Sequence, residues 1–257
     1  MVKQFDEIRK KAFLRFYEEL NDFLPPEKRK KPIAYLFFGT PSIKDVIEAL
    51  GIPHVEVDLI LVNGKSVRFD YALKSGDNVS VYPVFESIDI GSKTRLREQP
   101  LRRTAFILDV HLGKTAKNLR MLGFDALYEN DLDDDEIIRR AQEENRVILT
   151  RDRELLKNGK VTHGYWVRAR NADKQVTEIL NRFDLYSQIK PFHRCISCNG
   201  LIEKVDKEQV IDRLEPKTKQ YFDEFFACSG CQKIYWKGSH YDRMEEKIKK
   251  LLKNRPR

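Results

Sequence analysis

Residues 106–152, FILDVHLGKTAKNLRMLGFDALYENDLDDDEIIRRAQEENRVILTRD, constrain the fold more than any other stretch of the chain. Three short apolar runs, at 106–108, 124–128 and 147–149, alternate with two segments of helical period. Parallel strands need a crossover longer than a hairpin, so this alternation reads as a βαβαβ unit with a parallel sheet. Acids follow each run: Asp109 after the first, Asp131, Asp133 and Asp134 after the second, Asp152 after the third. In an open parallel sheet the strand ends share one edge, and ligands bind in the crevice outside it. These carboxylates are therefore expected to meet in an acidic cleft, where a divalent cation relieves their repulsion. Each acid also stands where a helix N-cap belongs, with any of residues 133–135 able to cap the second helix. The metal reading rests on three strand ends supplying acids together.

The intervening helices carry further signals. Leu112, Ala116, Leu119 and Leu122 recur at helical spacing and are expected to pack on the sheet, with Gly123 as the stop. Lys114, Lys117 and Arg120 fall on a different face. LDVHLGKT resembles the end of a P-loop, but Leu108 stands where that loop needs its first glycine, which excludes an NTPase of that type. A second amphipathic helix continues through Ile137, Ile138 and Ala141. Beyond an apolar run at 165–167, a third starts near Asp173 and places Val176, Ile179, Leu180 and Phe183 on one face. Arg168 and Arg170 are candidates to extend a nucleic-acid surface, together with Lys117 and Arg120.

The chain of 257 residues carries a formal net charge of +8. A basic surface with an acidic cleft suits a polyanion held beside metals. No apolar run approaches the ~20 residues of a membrane span. The opening MVKQFDEIRKK lacks the apolar stretch of a secretory signal, so the expected location is cytoplasmic.

Residues 1–90 read as a separate α+β domain. AFLRFYEEL and AYLFFG are expected strands, and Pro41-Ser42 opens a helix bearing Ile43, Val46, Ile47 and Leu50, closed by Gly51. VDLILVNGKSVRFDY follows with Asn63-Gly64 at a hairpin tip, and GDNVSVYPVF supplies a last strand. The order resembles a β-grasp, and LILVNG with GDNVSVYPVF resembles the ubiquitin-like sulfur carriers. ESIDIGSK follows Val84-Phe85 in place of a terminal Gly-Gly, so docking is expected rather than sulfur transfer or conjugation. Residues 91–104, with five basic residues against one Glu, read as a basic linker.

The four cysteines form two CxxC pairs, Cys195 with Cys198 and Cys228 with Cys231, separated by 29 residues. That spacing matches a four-thiolate zinc ribbon, and four thiolates leave no open position, so the zinc is expected to be structural. A redox reading needs a single CxxC on a thioredoxin-like βα unit, which is absent. The closing RMEEKIKKLLKNRPR is a basic, helix-like tail.

FILDVHLGKTAKNLRMLGFDALYEND, RVILTRDRELL, RCISCNGL and CSGCQKIYWKGSH resemble the C-terminal RNase domain family named for the worm protein mut-seven. That family is a variant of the PIN nuclease fold with an inserted zinc ribbon. FLRFYEELNDFLP and HVEVDLILVNGKSV resemble the ubiquitin-like domain that precedes it in prokaryotic members. The resemblance spans roughly residues 12–245. It implies a β-grasp domain (1–90), the linker (91–104), a PIN-like RNase domain with a parallel sheet (105–190), a zinc ribbon (191–242) and a basic tail (243–257). It further implies metal-dependent endonucleolytic hydrolysis of RNA, with magnesium or manganese held by Asp109, Asp134 and Asp152. Asp134 is singled out because it stands seven residues before Ala141. Lys114, Arg120 and Arg151 would steady phosphate charge, Arg151 by bidentate bonding. Glu154 is the nearest candidate for a fourth acid. The β-grasp domain is expected to recruit a protein partner. The rival expectation is a non-catalytic RNA-binding adaptor of the same fold; a toxin of a toxin–antitoxin pair is disfavoured by the three-module length.

Overall fold

The computed structural model describes residues 9–83 and 104–253. Residues 84–103, which include all but the last residue of the expected linker, and the last four residues of the tail lie outside the described residues. By packing, the chain divides into two compact units, Met1–Arg102 with Asp152–Tyr165, and Arg103–Arg151 with Trp166–Arg257.

In the first unit, β1 (Lys10–Phe16), β2 (Ile33–Phe37), α1 (Ile43–Ala49), β3 (Val57–Val62), β4 (Lys65–Ser66) and β5 (Asn78–Pro83) follow in chain order. The sheet order is β2-β1-β5-β3-β4, with β1 parallel to β5 and antiparallel to β2. This is the β-grasp topology expected from the sequence. Alternation along β1 turns Ala12, Leu14 and Phe16 inward, where they bury with Ile43, Val46 and Ile47 of α1. The Ser42 hydroxyl caps α1 by accepting the Asp45 N–H at 3.2 Å. Asn63 and Gly64 both take positive φ, 50° and 81°, as a primed hairpin turn demands. One expectation is corrected: the first strand stops at Phe16, and Glu18–Phe23 form a 3₁₀ helix. The cause is Asn21, whose buried amide donates to the carbonyls of Phe16 and Glu18, both at 3.0 Å, and accepts the Lys30 N–H at 2.7 Å.

The second unit opens with β6 (Ala105–Leu108), α2 (Gly113–Met121), β7 (Asp125–Leu127), α3 (Asp134–Glu143) and β8 (Val147–Thr150). Both β7 and β8 run parallel to β6, which confirms the βαβαβ reading. All four residues of β6 and of β8 are buried, as expected for strands covered on two faces. Gly123 ends α2 with φ +95°, and a Cβ there would meet the Lys190 carbonyl oxygen at 2.1 Å, so only glycine fits.

After β8 the chain forms α4 (Arg153–Lys157), which packs within the first unit. Leu155 and Leu156 are buried, and His54 lies between Glu48 Oε1 at 2.7 Å and the Val161 carbonyl at 3.0 Å. The stretch Asp152–Tyr165, assigned from sequence to the RNase module, thus packs within the same unit as the β-grasp fold.

The strand β9 (Gly164–Trp166) completes the four-stranded order β7-β6-β8-β9. Then come α5 (Ala172–Arg182), β10 (Ile202–Val205), the short helices α6 (Lys207–Val210) and α7 (Pro216–Tyr221), β11 (Phe225–Cys228), β12 (Ile234–Trp236) and α8 (Ser239–Lys253). β10, β11 and β12 form an antiparallel ribbon over Val210, Leu214 and Phe225. The basic tail is mostly α8: Ile248 and Leu251 are buried, and Lys247 pairs with Asp173 at 2.8 Å.

Candidate active site and metal centre

Asp109 directly follows β6 and is 5 % exposed. Its Oδ1 accepts the His111 N–H at 2.8 Å; its Oδ2 accepts the Thr150 hydroxyl and the Arg151 N–H, the latter at 2.9 Å. Its own N–H donates to the Leu149 carbonyl at 3.2 Å, so the ends of β6 and β8 are joined through both main chain and carboxylate. This is more than a cap, since a solvent-facing cap does not need a partner on a second strand.

The other acids are placed differently. Asp133 caps α3 by accepting the Glu136 N–H at 2.8 Å, which leaves Asp134 as the first helical residue, with Asp131 and Asp134 exposed. Asp152 caps α4 by accepting the Glu154 N–H at 2.8 Å and is exposed. Glu154 pairs with Lys157 at 2.7 Å. Among the described residues, the acids form no group of three whose ligand atoms lie within 4.8 Å of one another.

Lys114 and Lys117 are exposed on α2, and Arg151 and Arg170 are exposed as well. Arg168 is half-buried; its guanidinium donates to the Trp166 carbonyl at 3.0 Å and lies 5.1 Å from the indole centre. Trp166, not singled out from the sequence, donates its indole N–H to the Arg151 carbonyl at 3.2 Å.

Arg120 corrects the sequence reading. It is 3 % exposed, and its guanidinium donates to the carbonyls of Ala126 at 2.8 Å, Ser197 at 2.9 Å, Tyr128 at 3.3 Å and Ile196 at 3.4 Å. A side chain spent on four carbonyls is not available to phosphate. It ties the first CxxC knuckle to β7 instead.

Asn199, directly after that knuckle, takes φ +71° and accepts the Ala126 N–H on its side chain at 3.0 Å. It also donates to Asp125 at 2.8 Å, where Arg146 at 2.6 Å and Arg194 at 3.1 Å converge. Burial alone would raise the Asp125 pKa, but the bonds from Arg146 and Asn199 and the two guanidinium charges hold it below the ordinary carboxylate range. Sequence reading missed this cluster; the only signal was the Asn-Gly pair after the knuckle, which favours a left-handed turn.

The four cysteines converge. Their sulfurs lie within 4.8 Å of one another, with Cys195 to Cys231 at 3.7 Å and Cys198 to Cys228 at 3.3 Å. Metal–sulfur bonds near 2.3 Å in a tetrahedron give sulfur–sulfur edges of about 3.8 Å, so the donor set fits one tetrahedral cation. A Cβ on Gly200 would meet the Cys228 sulfur at 2.8 Å, which is why the knuckle ends in glycine. Burial pushes the Cys195 thiol up, but the Tyr235 hydroxyl and the N–H groups of Cys198 and Ser197 outweigh it and bring the thiol down to about 6. Burial pushes Cys231 up to about 12. The cluster is poised to lose protons to a cation rather than to hold four thiolates unaided.

A β-grasp module joined to a parallel-sheet α/β domain with a four-cysteine ribbon defines the class of protein. The Mut7-C RNAse domain matches residues 104–248, and the Mut7-C ubiquitin domain matches residues 9–89. The chain belongs to the Mut7-C RNAse domain family, which ties it to a nuclease-type, RNA-related class. Two solved structures are similar to part of it. The small archaeal modifier protein 1 of H. volcanii is 15 % identical, spans 30 % of this chain and 99 % of its own, and has a TM-score of 0.24. The Haloferax volcanii HVO 2177 protein is 21 % identical, spans 31 % of this chain and 88 % of its own, and has a TM-score of 0.26. No curated protein matches the chain. No described helix is long and apolar enough to cross a membrane.

Proposed function

We propose that the protein is a metal-dependent endoribonuclease that hydrolyses RNA phosphodiester bonds at the acidic edge of the parallel sheet. The observation that carries this reading is Asp109, a buried carboxylate held at the crest of β6 by three donors from its own turn and from the end of β8. Asp134 and Asp152, both exposed, are the further oxygen donors that this reading assigns to magnesium or manganese. Bound there, such an ion supplies Lewis acidity and an activated water. The chain's own part is to hold Asp109 in one orientation and to present Lys114, Lys117, Arg151 and Arg170 to phosphate. The four-cysteine cluster holds a structural zinc that fixes the ribbon. The β-grasp domain, residues 1–90, serves as a docking module, and the protein works in the cytoplasm.

The capping bonds of Asp133 and Asp152 favour one second reading, a non-catalytic RNA-binding adaptor of the same fold. Incubation of the full chain with single-stranded RNA in magnesium or manganese separates the two, with Asp152→Asn as the control. Metal-dependent cleavage that the variant loses supports the nuclease; RNA binding without cleavage by any version transfers the assignment to the adaptor.

A further inference from the structure

The β-grasp sheet packs one face on α1; on the other, β1 and β2 turn Lys11, Phe13, Arg15, Ala34 and Leu36 to solvent, a mixture of apolar and cationic side chains, while β3 is largely buried on both faces. Register places the side chains of the solvent face in rows: Lys11 pairs with Leu36, Phe13 with Ala34 and Asn78, and Arg15 with Ser80. Phe13 and Leu36 are 36 % and 45 % exposed, unusual for side chains of their size on a monomeric sheet. Tyr17 and Tyr82 continue the face as a stacked pair, ring centres 4.3 Å apart and planes 11° apart. The cations lie among the rings: the Lys11 ammonium is 4.9 Å from the Phe13 centre and the Arg15 guanidinium 5.2 Å from that of Tyr17. The strands that carry these residues, β1, β2 and β5, contain no acidic residue, and Asp58 of the neighbouring β3 is buried.

A flat sheet face that interleaves aromatic rings with cations offers what a single-stranded nucleic acid needs. Rings and guanidinium planes stack bases of any sequence, and neighbouring cations take up phosphate charge. An acidic peptide would satisfy the two cations but leave the ring surfaces without a matching partner. We propose that this face is a second RNA-binding site, a platform on which single-stranded bases stack against Phe13 and against the Arg15, Tyr17 and Tyr82 group, with phosphates near Lys11 and Arg15. The inference rests on the reading that the chain handles RNA, and it names what the docking module docks.

The test uses the full chain without added divalent metal and a fluorescently labelled oligouridylate, read by anisotropy. Phe13→Ala weakens binding about tenfold, the loss of one base stack of about 1.4 kcal/mol. Phe13→Trp retains it, which a merely structural role would not explain. Arg15→Ala lowers the slope of log affinity against log salt by about 0.7, as for one phosphate contact on a single strand. Arg15 is exposed, so Arg15→Ala leaves the thermal midpoint unchanged; Phe13 is only 36 % exposed, so binding by Phe13→Ala is measured well below its own midpoint, with Phe13→Trp as the folded control. Failure of the wild-type chain to bind, or binding unaltered by both Phe13→Ala and Arg15→Ala, overturns the proposal and leaves the face to a protein partner or to solvent. Cleavage in magnesium is scored separately. Cleavage with Phe13-independent binding removes this site and keeps the nuclease, whereas Phe13-dependent binding without cleavage keeps this site and removes the nuclease.

Discussion

Asp109 and Arg151, 42 residues apart, are joined by a 2.9 Å bond from the Arg151 N–H to the Asp109 carboxylate. The same carboxylate accepts the Thr150 hydroxyl and the His111 N–H, so every oriented donor around it requires an acceptor. Asp109→Asn must turn an NH₂ group toward one of those donors. It should lower stability by about 1–2 kcal/mol in chemical denaturation, the cost of a mismatched buried hydrogen bond. Asp152→Asn should cost only a few tenths of a kcal/mol, because asparagine caps a helix about as well as aspartate. If both residues hold metal, each variant loses at least ~100-fold in RNA cleavage, about 2.7 kcal/mol of transition-state stabilisation. A fully active Asp152→Asn enzyme would remove Asp152 from the site.

Acid should loosen the junction between β7 and the ribbon. Asp125 is ionised and paired with Arg146 and Arg194, and its pKa is held below the ordinary range. A carboxylate depressed in the folded state contributes stability above its unfolded pKa of about 3.9, and this is lost as pH falls through the folded value. Asp125→Asn should therefore cost about 3 kcal/mol near pH 7, since it strips two largely buried guanidinium groups of their counter-ion. The difference between variant and wild type should shrink below about pH 4. A gap of constant size down to pH 3, followed by thermal melts, would contradict the pairing.

The cysteine cluster should bind about one zinc per chain, measured by elemental analysis of purified protein. Cys228→Ser should lower both zinc content and thermal stability, since binding and folding of such a ribbon are coupled. Full stability in a zinc-free preparation would argue for a ribbon held by its apolar contacts alone.

Arg120 and Lys117 lie on one helix yet should behave in opposite ways. Arg120→Ala should destabilise the fold by about 3 kcal/mol, through loss of charged hydrogen bonds to buried carbonyls, with the salt dependence of RNA binding unchanged. Lys117→Ala should leave stability within about 0.5 kcal/mol and lower the salt slope by about 0.7 if Lys117 contacts phosphate. The reverse pattern would place Arg120 on the RNA surface after all.

The alternation of apolar runs and helical segments, the Asn63-Gly64 turn, the Ser42 cap and the paired CxxC spacing act within a few residues. Their outcomes, the β-grasp order, the parallel β7-β6-β8 sheet and the converging cysteines, were therefore legible in the sequence. The fate of Arg120 was not. At 3.6 residues per turn it stands about 120° around α2 from Lys114, so the run of three cations never shared one face. Which side of a helix meets solvent is decided by what packs there, and the partners of Arg120 include Ile196 and Ser197, more than 70 residues away. The same holds for Asp109. Its place after a strand was readable, but its donors on Thr150 and Arg151 exist only because β8 lies beside β6. Local patterning sets which elements form; burial of charged groups depends on long-range neighbours, and those only the tertiary structure supplies.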